Sequence, residues 1–333
     1  MTRAVAIALA GALAGAAIPA RADDSVWAVA TRTPDQLLAA RSYAEAMMAG
    51  DDALALAAAA EVVALRARLV DRALRHFAAA SAARPEAIAP HVRAASALQA
   101  FFVECRRTFA ALCGRRLDAV RARALIAEWD AIERKAPLDP RLTEGILFDR
   151  AILHTKLDGP GDLEAARDTY QRLLDRLRGL APYDAIGDAR NRRATILGNL
   201  AETHMMLGDL EASIEAYRMA EELDPDVSRG FGLAVALDRD DQGEAARQVL
   251  RGHGDEAFAR FIELVTSGRV FFVPDGEVAY YLGMGAELAG DHLTALEHFE
   301  EFVRSGAHPR YQRRAREHIA ALRARLAAPG RRR

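Results

Sequence analysis

The chain has 333 residues, 51% of them hydrophobic, 28% charged and 6% aromatic, with 2 cysteines and a formal net charge of -2. It is too apolar for intrinsic disorder and too poor in cysteine for a disulfide-built scaffold. Its charge is too even for a dedicated nucleic-acid binder, which draws on an excess of Lys and Arg. Lys135 and Lys156 are the only lysines, so 43 of the 45 basic residues are arginine. With abundant Ala, Leu and Glu these residues favour helix. Alternation of strand type is scarce, and the expected fold class is all-α.

In chain order, Arg3 precedes the apolar or small stretch 4–20, and Ala20-Arg21-Ala22 places small residues three and one before a cut ahead of Asp23. Residues 1–22 therefore read as a Sec-type signal peptide, with an uncleaved anchor as the competing reading. No cysteine follows the cut, so a lipid anchor is not expected. Loss of Arg3 and Arg21 takes the formal charge to -4. No later stretch holds 18 uninterrupted apolar residues, so no stable membrane insertion is expected after cleavage. The exported chain is expected in the periplasm or outside the cell. Residues 23–33 read as a short linker.

Residues 34–140 read as helical, with no Gly or Pro across 53–74. One helix is expected over 90–103 and another from about Arg116. Cys105 and Cys113 lie between them. Eight residues of continuous helix would separate their Cα atoms by about 12 Å, beyond the roughly 7 Å reach of a disulfide, so a bridge requires the helix to break near Gly114. A disulfide and two buried free thiols both stay open.

Internal similarity dominates the rest. Leu197, Leu200, Ala201, His204, Gly208, Leu210, Ser213, Tyr217, Ala220 and Pro225 form one pattern, and Leu282, Gly283, Ala286, Gly290, Ala295 and Phe299 repeat it, with Pro309 two residues late. A half-copy occurs at Ala73, Phe77, Ala80 and Pro85, and a fourth copy at Gly161, Asp162, Leu163, Ala166 and Tyr170, with 147–157 as its expected first helix and a longer turn between. A shortened pair turns at Asp241-Gln242-Gly243. The spacings resemble the tetratricopeptide repeat, a hairpin of two amphipathic helices. The resemblance covers residues 141–308 well and 34–140 in degenerate form, and it implies an α-solenoid of antiparallel hairpins. The alternative is an irregular helical bundle. Gly208 and Gly290 are the expected repeat turns and Pro225 a helix stop. Residues 309–326 read as a capping helix and 327–333 as a basic tail.

Catalytic and metal patterns are missing. His292, His298, His308 and His318 are spaced by 6, 10 and 10 residues, whereas a helical ligand pair needs 3 or 4. Gly283-Met284-Gly285 lacks the third glycine and the strand of a dinucleotide loop. Glu221-Glu222 and Asp240-Asp241 read as solvated or capping carboxylates. Of the arginine groups at 190–193 and 313–316 the first lacks interleaved aromatics, export removes most nucleic acid from reach, and no nucleic acid is expected. No enzyme activity, cofactor or metal is expected.

Binding remains. The resemblance places Gly198, Glu202 and Met205, and Glu277, Tyr280, Met284 and Glu287, on the concave face, with Asn199 where some members hold a peptide carboxylate. The cationic partners of such a clamp do not stand at the matching places. An acidic groove with Met and Tyr suits a basic or mixed amphipathic segment, while packing of Tyr280 and Met284 against the next hairpin is the competing reading. The expected function is an exported, non-catalytic scaffold for a peptide or protein partner in the cell envelope. The alternative is a structural subunit or adaptor of an envelope assembly or transport complex.

Overall fold

A computed structural model describes residues 33–103, 118–135, 140–157, 159–179, 188–254, 256–267 and 275–327. The expected signal peptide, nearly all of the linker, Cys105, Cys113 and the basic tail beyond Ala327 lie outside the described residues. Among the described residues the regular structure is entirely helical, comprising fourteen α-helices, one π-turn and two short 3-10 turns. The chain divides into two compact units, 1–146 and 147–333.

In the first unit, α1 (Pro34–Ala59) starts at a capping box. The Thr33 side chain accepts from the Gln36 N–H, and the Gln36 side chain accepts from the Thr33 N–H, satisfying two donors that a helix start leaves orphaned. Helix α2 (Val63–Ala83) packs along α1. Their contact depends on Gly50, because a Cβ there would stand 2.4 Å from Phe77 Cε1, and Phe77 fills the space a side chain would take. Helix α3 (Ala89–Leu98) runs into a π-turn, Gln99–Val103, and α4 (Ala119–Lys135) buries Leu125, Trp129 and Ile132. His91 links three helices here. Its Nε2 lies 3.0 Å from Ser81 Oγ on α2, and its Nδ1 lies 2.7 Å from Glu128 Oε2 on α4.

Helix α5 (Pro140–Thr155) leads into the second unit, followed by α6 (Asp162–Gly179), α7 (Asp188–Leu207), α8 (Leu210–Leu223), α9 (Val227–Arg239) and α10 (Gly243–Gly252). Then come α11 (Ala257–Thr266), α12 (Val278–Leu288), α13 (His292–Ser305) and α14 (Gln312–Ala327). Successive helices pack as pairs: α7 on α8, α9 on α10, α12 on α13. The α7–α8 and α12–α13 turns are built alike. Gly208 (φ +85°) and Gly290 (φ +79°) sit in the left-handed region. The Asp209 N–H donates to His204 O at 2.9 Å, and the Asp291 N–H donates to Ala286 O at 3.0 Å. Each aspartate then caps the next helix, accepting from Ala212 N–H and Thr294 N–H respectively. This is the Schellman ending followed at once by an N-cap, the shortest way to reverse a helix while satisfying its terminal groups. The α9–α10 turn shares the backbone bonds but not the side-chain cap, with Asp241 (φ 59°) in place of glycine and Gln242 N–H reaching Leu237 O at 2.9 Å.

Helix α9 is central. From Gly230 to Arg239 every residue is buried, so the helix is covered on all sides. Phe231 stacks on Phe261 at 4.1 Å, and Tyr217 lies so close to Gly232 that a Cβ there would meet the ring at 2.3 Å. The 3-10 turn Pro309–Tyr311 closes the unit back onto α7. The Tyr311 hydroxyl donates to Met205 O at 2.7 Å, which also accepts from the Gly208 N–H at 3.0 Å, and Arg310 donates to Leu207 O, so two remote side chains bond carbonyls in the last turn of α7. The span expected as one capping helix therefore begins with this turn, and its helix starts at Gln312.

Candidate functional site

The residues expected on an exposed binding face divide between the core and one cleft. Met205, Glu277 and Tyr280 are fully buried, which corrects their expected place on an open surface. The cause is packing: α9 and α13 pack on α12, His318 of α14 meets Tyr280 and Glu287, and the Tyr280 ring meets Phe299 and Phe302 edge-on at 5.3 and 5.1 Å. Glu277 is tolerated inside because Arg239 Nη2 lies 2.6 Å from its Oε1. The Arg239 guanidinium also lies over the rings of Tyr280 (4.5 Å) and Tyr311 (4.2 Å), which replaces part of the water it has lost. Half-buried Glu202 accepts from two tyrosines, Tyr217 and Tyr281, both at 2.9 Å on the same oxygen. Asn199 lies against the buried Tyr170 hydroxyl, and half-buried Gly198 against the Arg229 side chain.

Burial pushes the Glu277 carboxyl up to about 8, with the charge of Glu202 adding to the shift and Arg239 opposing it. The charge of Arg239 is thus felt by two carboxylates, of which Glu277 is the more deeply buried.

A second cluster lies at the other face of α9. Asp238 Oδ2 accepts from the Tyr280 hydroxyl at 2.6 Å and lies 2.9 Å from His318 Nε2, while its Oδ1 accepts from Arg314 Nη2 at 2.7 Å. The other ring nitrogen, His318 Nδ1, lies 2.7 Å from Glu287 Oε2. Burial works against the charged ring, but the bonds to Asp238 and Glu287 outweigh it and push His318 up to about 9. Burial would raise the Asp238 carboxyl, yet its His318, Arg314 and Tyr280 donors hold it far below the usual carboxylate range. The same balance, with His318 as main partner, lowers Glu287. With both nitrogens engaged and the ring charged at neutral pH, His318 has no lone pair to act as a general base. The other expected histidines are scattered: His308 Nε2 lies 3.6 Å from Glu277, and His298 Nδ1 lies 3.6 Å from Glu301.

This cluster forms the floor of a cleft of about 390 Å³. Helix α10 supplies Arg247, Leu250 and Arg251, α12 supplies Met284, Glu287 and Leu288, and α14 supplies His318 and Arg325. On amphipathic α10, Ala246 and Leu250 are buried while Arg247 and Arg251, one turn apart, face outward. The cleft therefore has an apolar wall, an internally neutralised floor and an arginine rim. Met284 and Glu287 are the two residues of the expected binding face that meet in it, although Met284 is itself only 6% exposed.

Sequence reasoning missed Asp238, Arg239, Arg314 and His318. One signal was available: Asp238-Arg239 ends the apolar run 231–237, so both charges had to be buried with partners from elsewhere.

No family model matches the sequence. Over 144 residues the chain is 30% identical to Protein SULFUR DEFICIENCY-INDUCED 2 of Arabidopsis thaliana, an alignment covering 40% of this chain. The chain spans about half the length of that curated relative, with 46% of it matched.

Proposed function

We propose that the chain is a non-catalytic protein-interaction scaffold of tetratricopeptide type, an α-solenoid of helix hairpins, exported to the cell envelope. In this reading it seats a peptide or protein partner in the cleft between α10, α12 and α14. One observation carries the reading. The cleft joins half-buried Leu288, backed by the buried Leu250 and Met284, to exposed guanidinium groups, a small apolar spot beside charges that can orient a side chain, while the His318 imidazole on its floor is held by two carboxylates. The repeated Gly-Asp turns at 208–209 and 290–291 support the hairpin-repeat assignment.

The test is selection of a displayed peptide library on the full chain, with Leu288→Arg as the cleft-filling control. Peptides retained by wild type and lost on the control support the reading. Peptides that bind both equally, or no enrichment at all, overturn it.

A further inference from the structure

The charges around the cleft do not match the basic or mixed partner expected from sequence. Its acidic groups are internally engaged: Asp238 by His318, Arg314 and Tyr280, and Glu287 by His318 at 2.7 Å and Arg325 at 3.5 Å. Its arginines are not equally held. Arg251 and Arg325, 60% and 54% exposed, each reach a carboxylate by one nitrogen at 3.5 Å, although a guanidinium carries five donors. Arg247, 46% exposed, has its Nη2 2.8 Å from Glu244 Oε2. Glu244 stands on the same face of α10 and spans both rim arginines, one with each oxygen, while 73% exposed itself.

Resting on the reading of the cleft as the partner site, we infer that it recognises an internal acidic peptide segment, with an apolar residue placed against half-buried Leu288 and carboxylate side chains on Arg247, Arg251 and Arg325. Charge complementarity sets this choice, since the floor carboxylates are neutralised from within and the rim is cationic. Glu244 occupies the α10 arginines in the absence of the partner and competes with its carboxylates. An arriving carboxylate replaces one ion pair by another, so exposed Glu244 weakens binding and adds selectivity for segments bearing more than one acid.

The probe is a fluorescently labelled hexapeptide, Glu-Glu-Leu-Leu-Glu-Glu, blocked at both ends so that no terminal carboxylate is present, beside its Gln and Lys counterparts. Anisotropy on the full chain should give the acidic peptide at least about tenfold tighter binding than the Gln peptide and none for the Lys peptide. The preference should weaken with salt. Arg247→Gln/Arg251→Gln, both at exposed positions, should lose about tenfold with an unchanged melting temperature, whereas Glu244→Gln should bind several-fold tighter. A Gln or Lys peptide that binds as well as the acidic one and is lost on Leu288→Arg overturns the acidic specificity and leaves the cleft reading standing. Absence of binding by all three peptides overturns the acidic specificity, and an empty library selection alongside it removes the cleft reading too. Weaker or unchanged binding by Glu244→Gln overturns the competing role of Glu244.

Discussion

Asp238 and His318, 80 positions apart in the chain, meet at 2.9 Å, so the last turn of α9 is held by the last helix of the second unit through a buried charged hydrogen bond. The bond also titrates. Because His318 is pushed up to about 9 from an ordinary value of 6.5, its contribution is full below pH 6.5 and is lost as pH rises through 9. Glu277, raised to about 8, acts in the same direction, since folding favours its protonated form and stability falls as pH climbs from about 4.5 to 8. The lowered Asp238 and Glu287 act oppositely, and their contribution is lost as pH falls below the ordinary carboxylate range. The melting temperature should peak near pH 5–6 and decline to pH 9. In His318→Gln the decline between 6.5 and 9 should shrink, the difference being on the order of 3 kcal/mol. Parallel profiles for the two proteins would show that His318 does not carry the effect.

Arg239 and Glu277 should not be equivalent. Replacing Arg239 by Met strands Glu277 in the core and removes the cation from the Tyr280 and Tyr311 rings, for a loss of about 3–5 kcal/mol in urea unfolding. Glu277→Gln keeps the shape of a group already inclined to hold a proton and should cost less than half as much. Equal costs would mean the pair is held as two full charges.

The two Gly-Asp turns separate backbone strain from crowding. Gly290 has no neighbour within 4 Å of a built Cβ, so Gly290→Ala should cost only the positive-φ penalty, about 1 kcal/mol. At Gly208 a Cβ would stand 1.1 Å from Arg310 Nη1, so Gly208→Ala should cost more, and Arg310→Ala should return part of the excess. Thermal denaturation of wild type, Gly208→Ala, Arg310→Ala and the double variant closes the cycle, and additive effects of the two substitutions would show that they do not interact.

Gly50→Ala should destabilise the first unit by more than 1 kcal/mol although alanine is the better helix former by about 0.5–1 kcal/mol, because Phe77 occupies the place of the new methyl. A neutral or stabilising result by chemical denaturation would mean that Phe77 moves aside without loss.

The hairpin turns were legible in the sequence because they are local: glycine for positive φ and aspartate for the next N-cap occupy adjacent positions, and 208–209 and 290–291 behave alike. The cleft was legible only in part. Met284 and Glu287 reach it, but Tyr280 and Glu277, one and two turns before Met284, do not. Apolar spacing along α12 cannot tell a groove from a core once helices close around it. Nor does spacing indicate that His318 belongs with Asp238 and Arg239 with Glu277. Those pairings depend on which helices meet, and a buried charge shows its partner only when both are in place.

The reach of Tyr311 and Arg310 back to the end of α7, across 106 and 103 positions, bears on how the second unit comes apart. In an array whose members touch only their neighbours, the last members fray first and the rest survive. Here loosening α14 uncaps α7 and strips Asp238 of His318 and Arg314 at once, so loss of one end is felt more than a hundred residues away. Amide protons of α7, α9 and α12 should then exchange with a single opening free energy, as one cooperative block rather than a graded ladder.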